Sequence, residues 1–367
     1  MSISPDPLFK PFASGRLTLP NRIVMAPMTR SQSPEGVPGA DVAAYYRRRA
    51  ENQVGLIITE GTVIDHPAST NDTRVPRFYG VAALAGWAQV ANEVHAAGGR
   101  IMPQIWHIGT VRRAGDRPNP EAPPIGPSGL YKPGIKVVEP MSEAEIAAVI
   151  DAYARAAADA RRLGFDGVEL HGAHGYLIDQ FFWEGTNQRS DRYGGDMVAR
   201  TRFAVEVIQA CRRAVGPDFP IVLRYSQWKQ QDYAARLAAT PELLEKFLAP
   251  LSDAGVDIFH CSTRRFWEPE FEGSPLNLAG WTRKLTGKPV ITVGSVSLDN
   301  DMVAAFRGKA AAITSIDKLI EMIAREEVDL VAVGRAVLVD PAWATKVREN
   351  RMQDLLPFTP EALRFLS

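Results

Sequence analysis

The sequence predicts a (β/α)8 barrel, and three observations lead to it. Eight short runs rich in Val, Ile and Leu alternate with segments of helical period. Most of these runs are apolar throughout, as parallel strands covered on both faces require. The long connections follow strands, and the chemically active side chains gather at those same ends, where such barrels carry their sites. Right-handed crossovers close eight such units most simply into a barrel, with an open doubly wound sheet as the alternative.

The elements follow in order. Residues 8–20 precede the first strand and are expected to plug the bottom of the barrel. Strands are expected at 23–26, 55–59, 100–105, 166–170, 220–224, 256–260, 289–293 and 328–333. Leu84, Trp87, Ala88 and Ala91 form a helical stripe closed by Gly98-Gly99. Ser142 and Glu145 read as a capping box, followed by Ile146, Val149, Ile150, Tyr153 and Ala157 up to Gly164. Phe203, Val207 and Cys211 mark another stripe. Thr240 and Pro241 read as N-cap and first residue of a helix that buries Leu244, Phe247, Leu248 and Leu251. The excursion 107–141, rich in Pro and Gly, is too long for a passive connection and is expected to be a lid after strand three. Connections 175–196 and 262–279 belong to the same face, and 297–327 carries a second helix around 316–324. The whole chain, 1–367, reads as a single domain.

Composition removes several function classes. At 367 residues the chain suits a barrel with grown loops, and 46% apolar with 23% charged residues is ordinary for a globular core. A formal net charge of +0 without like-charge blocks suggests neither nucleic acid nor an anionic membrane as partner. No apolar run reaches the roughly 20 residues of a membrane helix. The first residues lack a signal-peptide pattern, and two cysteines cannot build a disulfide framework, zinc finger or iron–sulfur site. A cytoplasmic location is expected.

The strand ends carry the chemistry. They read Ala26-Pro27-Met28-Thr29-Arg30, Glu60-Gly61-Thr62, Gln104-Ile105-Trp106-His107, His171-Gly172-Ala173-His174-Gly175-Tyr176, Arg224-Tyr225-Ser226, Gly294-Ser295 and Gly334-Arg335. Glycine N–H groups after strands seven and eight, with Arg335, suit a phosphate. Arg224 inside a strand must meet an anion, either a carboxylate such as Glu60 or an electron-rich heterocycle that becomes negative. Gln104 offers an amide to an imide-like edge. FMN fits a planar ring with those partners and a phosphate tail. The rival is a metal-dependent barrel hydrolase or lyase built on the His171/His174 pair, which needs carboxylates at the same centre. Glu169 alternates to the face opposite Leu170 and Asp179 falls in the following loop, so no metal is expected. Two satisfied core histidines are the bland alternative.

In combination, Leu8–Phe12, Leu19–Arg30, Gln104–His107, His171–Leu177, Asp191-Arg192-Tyr193-Gly194-Gly195 and Val333-Gly334-Arg335 resemble the old yellow enzyme family of FMN-dependent ene-reductases along nearly the whole chain. The resemblance implies that Ala26, Pro27, Met28 and Thr29 meet the flavin edge, that Gly61 lets backbone approach the ring, and that Gln104 binds its pyrimidine side. Arg224 would lie near N1 and O2, and Gly294, Ser295, Gly334 and Arg335 would hold the phosphate. His171 and His174 would bind the substrate oxygen, Tyr176 would donate the proton, and Trp106 and Trp267 would flank the substrate. The reaction implied is ping-pong. NAD(P)H reduces tightly bound FMN, then an α,β-unsaturated carbonyl or nitro compound takes hydride at its β-carbon and a proton from Tyr176. A nitro-ester or nitroaromatic reductase of the same family is the alternative, as monomer or homodimer. Arg112, Arg113, Arg264 and Arg265 could meet a 2′-phosphate or only solvent. Gly109-Thr110 and Asp196–Arg200 depart from the family pattern, and the larger iron–sulfur relatives are excluded by length and cysteine count.

Overall fold

The computed structural model describes residues 3–367, the Phe306 side chain apart. Eight parallel strands close into a barrel: β1 (Ile23–Met25), β2 (Leu56–Val63), β3 (Arg100–Trp106), β4 (Val168–His174), β5 (Ile221–Lys229), β6 (Ile258–Ser262), β7 (Val290–Val293) and β8 (Leu330–Val333). They neighbour one another in chain order, and β8 pairs with β1 through Val331–Ile23 and Val333–Met25 to close the ring.

Period-two alternation splits each strand between two cores. In β1, Ile23 and Met25 face the helical layer while Val24 faces the barrel interior. The lower interior is filled by Val24, Leu56, Met102, Val222, Ile258, Ile291 and Leu330. Phe12, Leu17 and Leu19 of the hairpin Phe12–Ser14/Leu17–Leu19 join that cluster, so the hairpin is the bottom plug. Burial of each such side chain contributes about 1.5–3 kcal/mol.

The helices start where their caps say. At the helix Glu143–Arg162, Ser142 Oγ accepts from Glu145 N at 3.2 Å and the Glu145 carboxylate accepts from Ser142 N at 2.7 Å. Thr240 caps Pro241–Asp253 in the same sense, accepting from Leu243 N at 3.3 Å.

Three departures from the sequence reading matter for the site. Strands β4 and β5 run past their apolar segments, to His174 and Lys229, because the ladder continues through His171–Arg224 and Gly172–Tyr225. Backbone pairing does not require apolar side chains, so composition under-reads a strand's rim. A register shift between Gly172 and His174, with His174 at φ 66°, turns the chain there. Asp179 lies in the short helix Leu177–Phe182 rather than in a loop, fully buried. The excursion 107–141 is built on a hairpin, Leu130–Lys132 with Ile135–Lys136. It is also built on buried Arg112, whose guanidinium donates to the carbonyls of Thr70, Asp116, Asn119 and Ala122.

Candidate active site

One cleft opens over the C-terminal ends of the strands, about 1440 Å³ with its mouth included. Its wall takes Ala26, Pro27, Met28 and Thr29 after β1, Gly61 on β2, and Gln104 and Trp106 on β3. It continues with His171, His174 and Tyr176 from β4 and its turn, Arg224 on β5, Gly294 and Ser295 after β7, and Gly334 and Arg335 after β8. Trp267 is not brought there; its ring meets Phe266 edge-on and its carbonyl accepts from Lys318 Nζ. No residue of 107–141 lines the cleft.

The rings of Trp106, His171 and Tyr176 form one group. Trp106 stacks on His171 at 5.9 Å, and Tyr176 meets both edge-on at 4.8 and 5.0 Å. Gly61 makes this possible, since a Cβ there would sit 2.5 Å from the Trp106 ring. The Ala173 amide donates to His171 Nδ1 at 3.4 Å, which leaves the proton of a neutral imidazole on Nε2. His174 Nε2 lies 2.8 Å from Ser262 Oγ, the atom to which Arg224 donates at 3.3 Å.

Burial, and then the Arg224 charge, push both His171 and His174 well below the ordinary imidazole range. Both imidazoles are therefore held in the neutral form. Burial raises the Tyr176 hydroxyl, with Gln230 and Arg224 opposing, so Tyr176 keeps its proton. The turn that carries it is pinned from below. Asp179 accepts from the Gly175 amide and from Lys229 Nζ, both at 2.6 Å, with Asp179 and Lys229 side chains wholly buried.

The other rim residues hold a ring and a phosphate in prospect. A Cβ on Gly334 would project toward Met28 Sδ and Ala26 Cβ, 3.6 and 3.8 Å away, both on the cleft wall, so no protein atom demands glycine there. Arg224 is buried with its Nε unpartnered. Arg335 donates to Asn300 Oδ1 at 2.9 Å and to the Asp301 carbonyl at 3.2 Å, beside Ser295 Oγ. An anionic or imide-bearing planar ligand fits these groups. Of the other arginines, Arg112 is spent on carbonyls and Arg265 pairs with Glu268 and Asp301, whereas Arg264 lines the cleft.

Two carboxylates are placed differently from the sequence reading. Glu60 does not pair with Arg224; its carboxylate accepts from the amides of Arg30 and Ser31 at 2.8 and 3.2 Å, and burial raises it to about 7. Glu169 does face the barrel interior, because period two puts it on the same side as His171. There it meets Gln104 and His260, with no metal-holding cluster among the described residues. Sequence reasoning also missed Trp228, Gln230 and Tyr233 on the wall. Trp228 stacks between His174, at 4.5 Å, and Tyr233, at 5.5 Å. The only sign of them was the polar-aromatic run Gln227-Trp228-Lys229-Gln230-Gln231 directly after the apolar part of β5.

Fold and rim together define a (β/α)8 barrel whose C-terminal cleft gathers glycines, amides, arginines, histidines and tyrosines on one wall. The chain belongs to the NADH:flavin oxidoreductase / NADH oxidase family, whose model matches residues 7–354, and this is the old yellow enzyme family. It is 34% identical over 359 residues to an NADH oxidase of Thermoanaerobacter brockii, covering 95% of this chain and 52% of that protein. It is 33% identical over 354 residues to 12-oxophytodienoate reductase 2 of Arabidopsis thaliana, covering 91% and 86%. With 12-oxophytodienoate reductase 7 of Oryza sativa subsp. japonica the match is 41% over 227 residues, 58% of this chain and 56% of that one. The chain thus spans about half the length of several curated relatives it matches. Among solved structures, morphinone reductase in complex with tetrahydroNAD superposes with a TM-score of 0.81 at 28% identity, covering 97% of this chain and 93% of that one. No helix among the described residues is long and apolar enough to cross a membrane.

Proposed function

We propose that this chain is an FMN-dependent ene-reductase that takes its electrons from NAD(P)H and reduces the C=C bond of α,β-unsaturated carbonyl or nitro compounds. The observation that carries the reading is the convergence of His171, His174 and Tyr176 over the rim that holds Gln104 and Arg224. FMN, when bound, supplies a reversible hydride store. The chain does the rest. Gln104 and Arg224 would hold the pyrimidine edge, and the Arg224 charge would favour the electron-rich state of the ring. His171 Nε2–H and the His174 ring polarise the substrate oxygen without giving up a proton. Tyr176, uncharged and held edge-on by Trp106, donates the proton to the α-carbon. Gly294, Ser295, Gly334 and Arg335 are the phosphate contacts in this reading. A nitro group presents the same oxygen to the same donors.

The test is direct. The purified protein is expected to be yellow and to release FMN on denaturation. Stopped-flow mixing with NADH or NADPH should bleach it, and an enone should restore the colour. Protein that takes up no FMN contradicts the proposal.

A further inference from the structure

Beneath the cleft lies a buried carboxylate that the proposed chemistry does not use. Glu169 is wholly buried on the inward face of β4. Its Oε1 accepts from Gln104 Nε2 at 2.7 Å, and its Oε2 lies 2.6 Å from His260 Nδ1. Burial pushes His260 toward its neutral form, so Nδ1–H donates to Glu169, while Nε2 is buried without a partner. Glu169 is also the carboxylate whose charge acts on Arg224.

We propose that Glu169 is a positioning residue, one that fixes the hydrogen-bonding sense of Gln104 and tempers the positive charge that Arg224 offers to a bound flavin. The inference rests on the FMN reading above. A carboxylate that already takes N–H from His260 can only accept, so Gln104 must turn its NH2 group down to Glu169. This holds whichever way the amide is drawn. The Gln104 carbonyl oxygen then faces the cleft as an acceptor, the partner an imide N–H requires. The second effect is electrostatic. Arg224 alone would favour the electron-rich ring strongly; a buried negative charge on the neighbouring strand opposes it in the same low-dielectric space. Glu169 therefore holds the potential down, so that hydride taken from NAD(P)H can still be passed on.

Glu169→Gln keeps the shape and removes the charge. Its bound FMN should show a midpoint potential shifted positive, the reduced form gaining about tenfold in relative affinity, or roughly 30 mV for a two-electron couple. Glu169→Asp, which keeps the charge, should stay closer to the parent value. A packing role would leave the potential unmoved. A second measurement needs no variant. The parent apoprotein should bind N3-methyl-FMN about tenfold or more weakly than FMN, a loss of about 1.4 kcal/mol. An unshifted potential in E169Q, or equal affinity of the parent for the two flavins, overturns the inference while leaving the ene-reductase reading intact. A parent protein that takes up no FMN overturns both.

Discussion

The hydroxyl of Tyr176 is set apart from the other polar groups of the cleft because it is raised, able to donate, and packed against both Trp106 and His171. Burial raises it, and both neighbouring histidines, pushed well below the ordinary imidazole range, are weak bases toward its proton. Tyr176→Phe should slow reoxidation of the bound flavin by an enone by about 10²–10⁴-fold and leave its reduction by NAD(P)H nearly intact, because general-acid catalysis serves one half-reaction only. Equal loss in both half-reactions, seen by stopped-flow, would contradict the role. His171→Ala removes the Nε2–H donor and the face on which Trp106 stacks. Phenol-type ligands, which offer an oxygen to that donor, should bind about tenfold more weakly, the loss of about one hydrogen bond to a charged or polarised oxygen. Unchanged affinity in a flavin absorbance titration would count against the assignment.

At the scale of elements, the turn after β4 depends on β5. Lys229 and Asp179 are both wholly buried, and burial drives each toward its neutral form, lowering the lysine and raising the aspartate, against their mutual attraction. Such a pair adds little net stability but is costly to break. Lys229→Met should destabilise by about 3–5 kcal/mol in chemical denaturation, since Asp179 is left buried without its cation. The double variant Asp179→Leu/Lys229→Met should recover most of that loss while still slowing proton transfer, because Gly175 N loses its acceptor. A double variant as unstable as the single one would refute this account. The segment 357–367 is also an element of the site: Phe358 and Leu363 line the cleft, and Arg30 donates to the Ala362 carbonyl at 3.2 Å.

At the scale of the whole molecule, the buried titratable groups give stability a definite pH dependence. Burial lowers His66, His107, His171, His174 and His260, five of the six histidines. Their folded values lie below the unfolded value of about 6.5. The stability they contribute is therefore present above that pH and is lost as pH falls, when the unfolded chain binds protons that the fold refuses. Glu60 has the opposite sign. Raised to about 7, it favours the fold most below its unfolded value of 4.5 and loses that contribution as pH rises to 7. Asp179 and Glu270, also raised by burial, share the sign of Glu60, but the five histidines outnumber these three carboxylates, so Tm with excess FMN should be highest near neutrality and drop as pH falls below about 6.5. A Tm that is flat or rises between pH 6.5 and 5 would contradict the balance.

The sequence by itself determined the barrel, because eight apolar runs alternating with capped amphipathic helices have few other ways to bury both faces of their strands. It also determined the family and the rim, since the residues at strand ends are local facts that a motif records. What only the tertiary structure decided are the pairings between strands. Nothing local to Glu169 says that its partners stand on β3 and β6, or that Arg224 finds Ser262 rather than Glu60. The extension of β4 and β5 was equally illegible, because a ladder is held by backbone groups that every residue type shares. The chemistry of this rim is written along the chain. Its electrostatic setting is written across the strands, where closing the barrel brings residues far apart in sequence into one low-dielectric space.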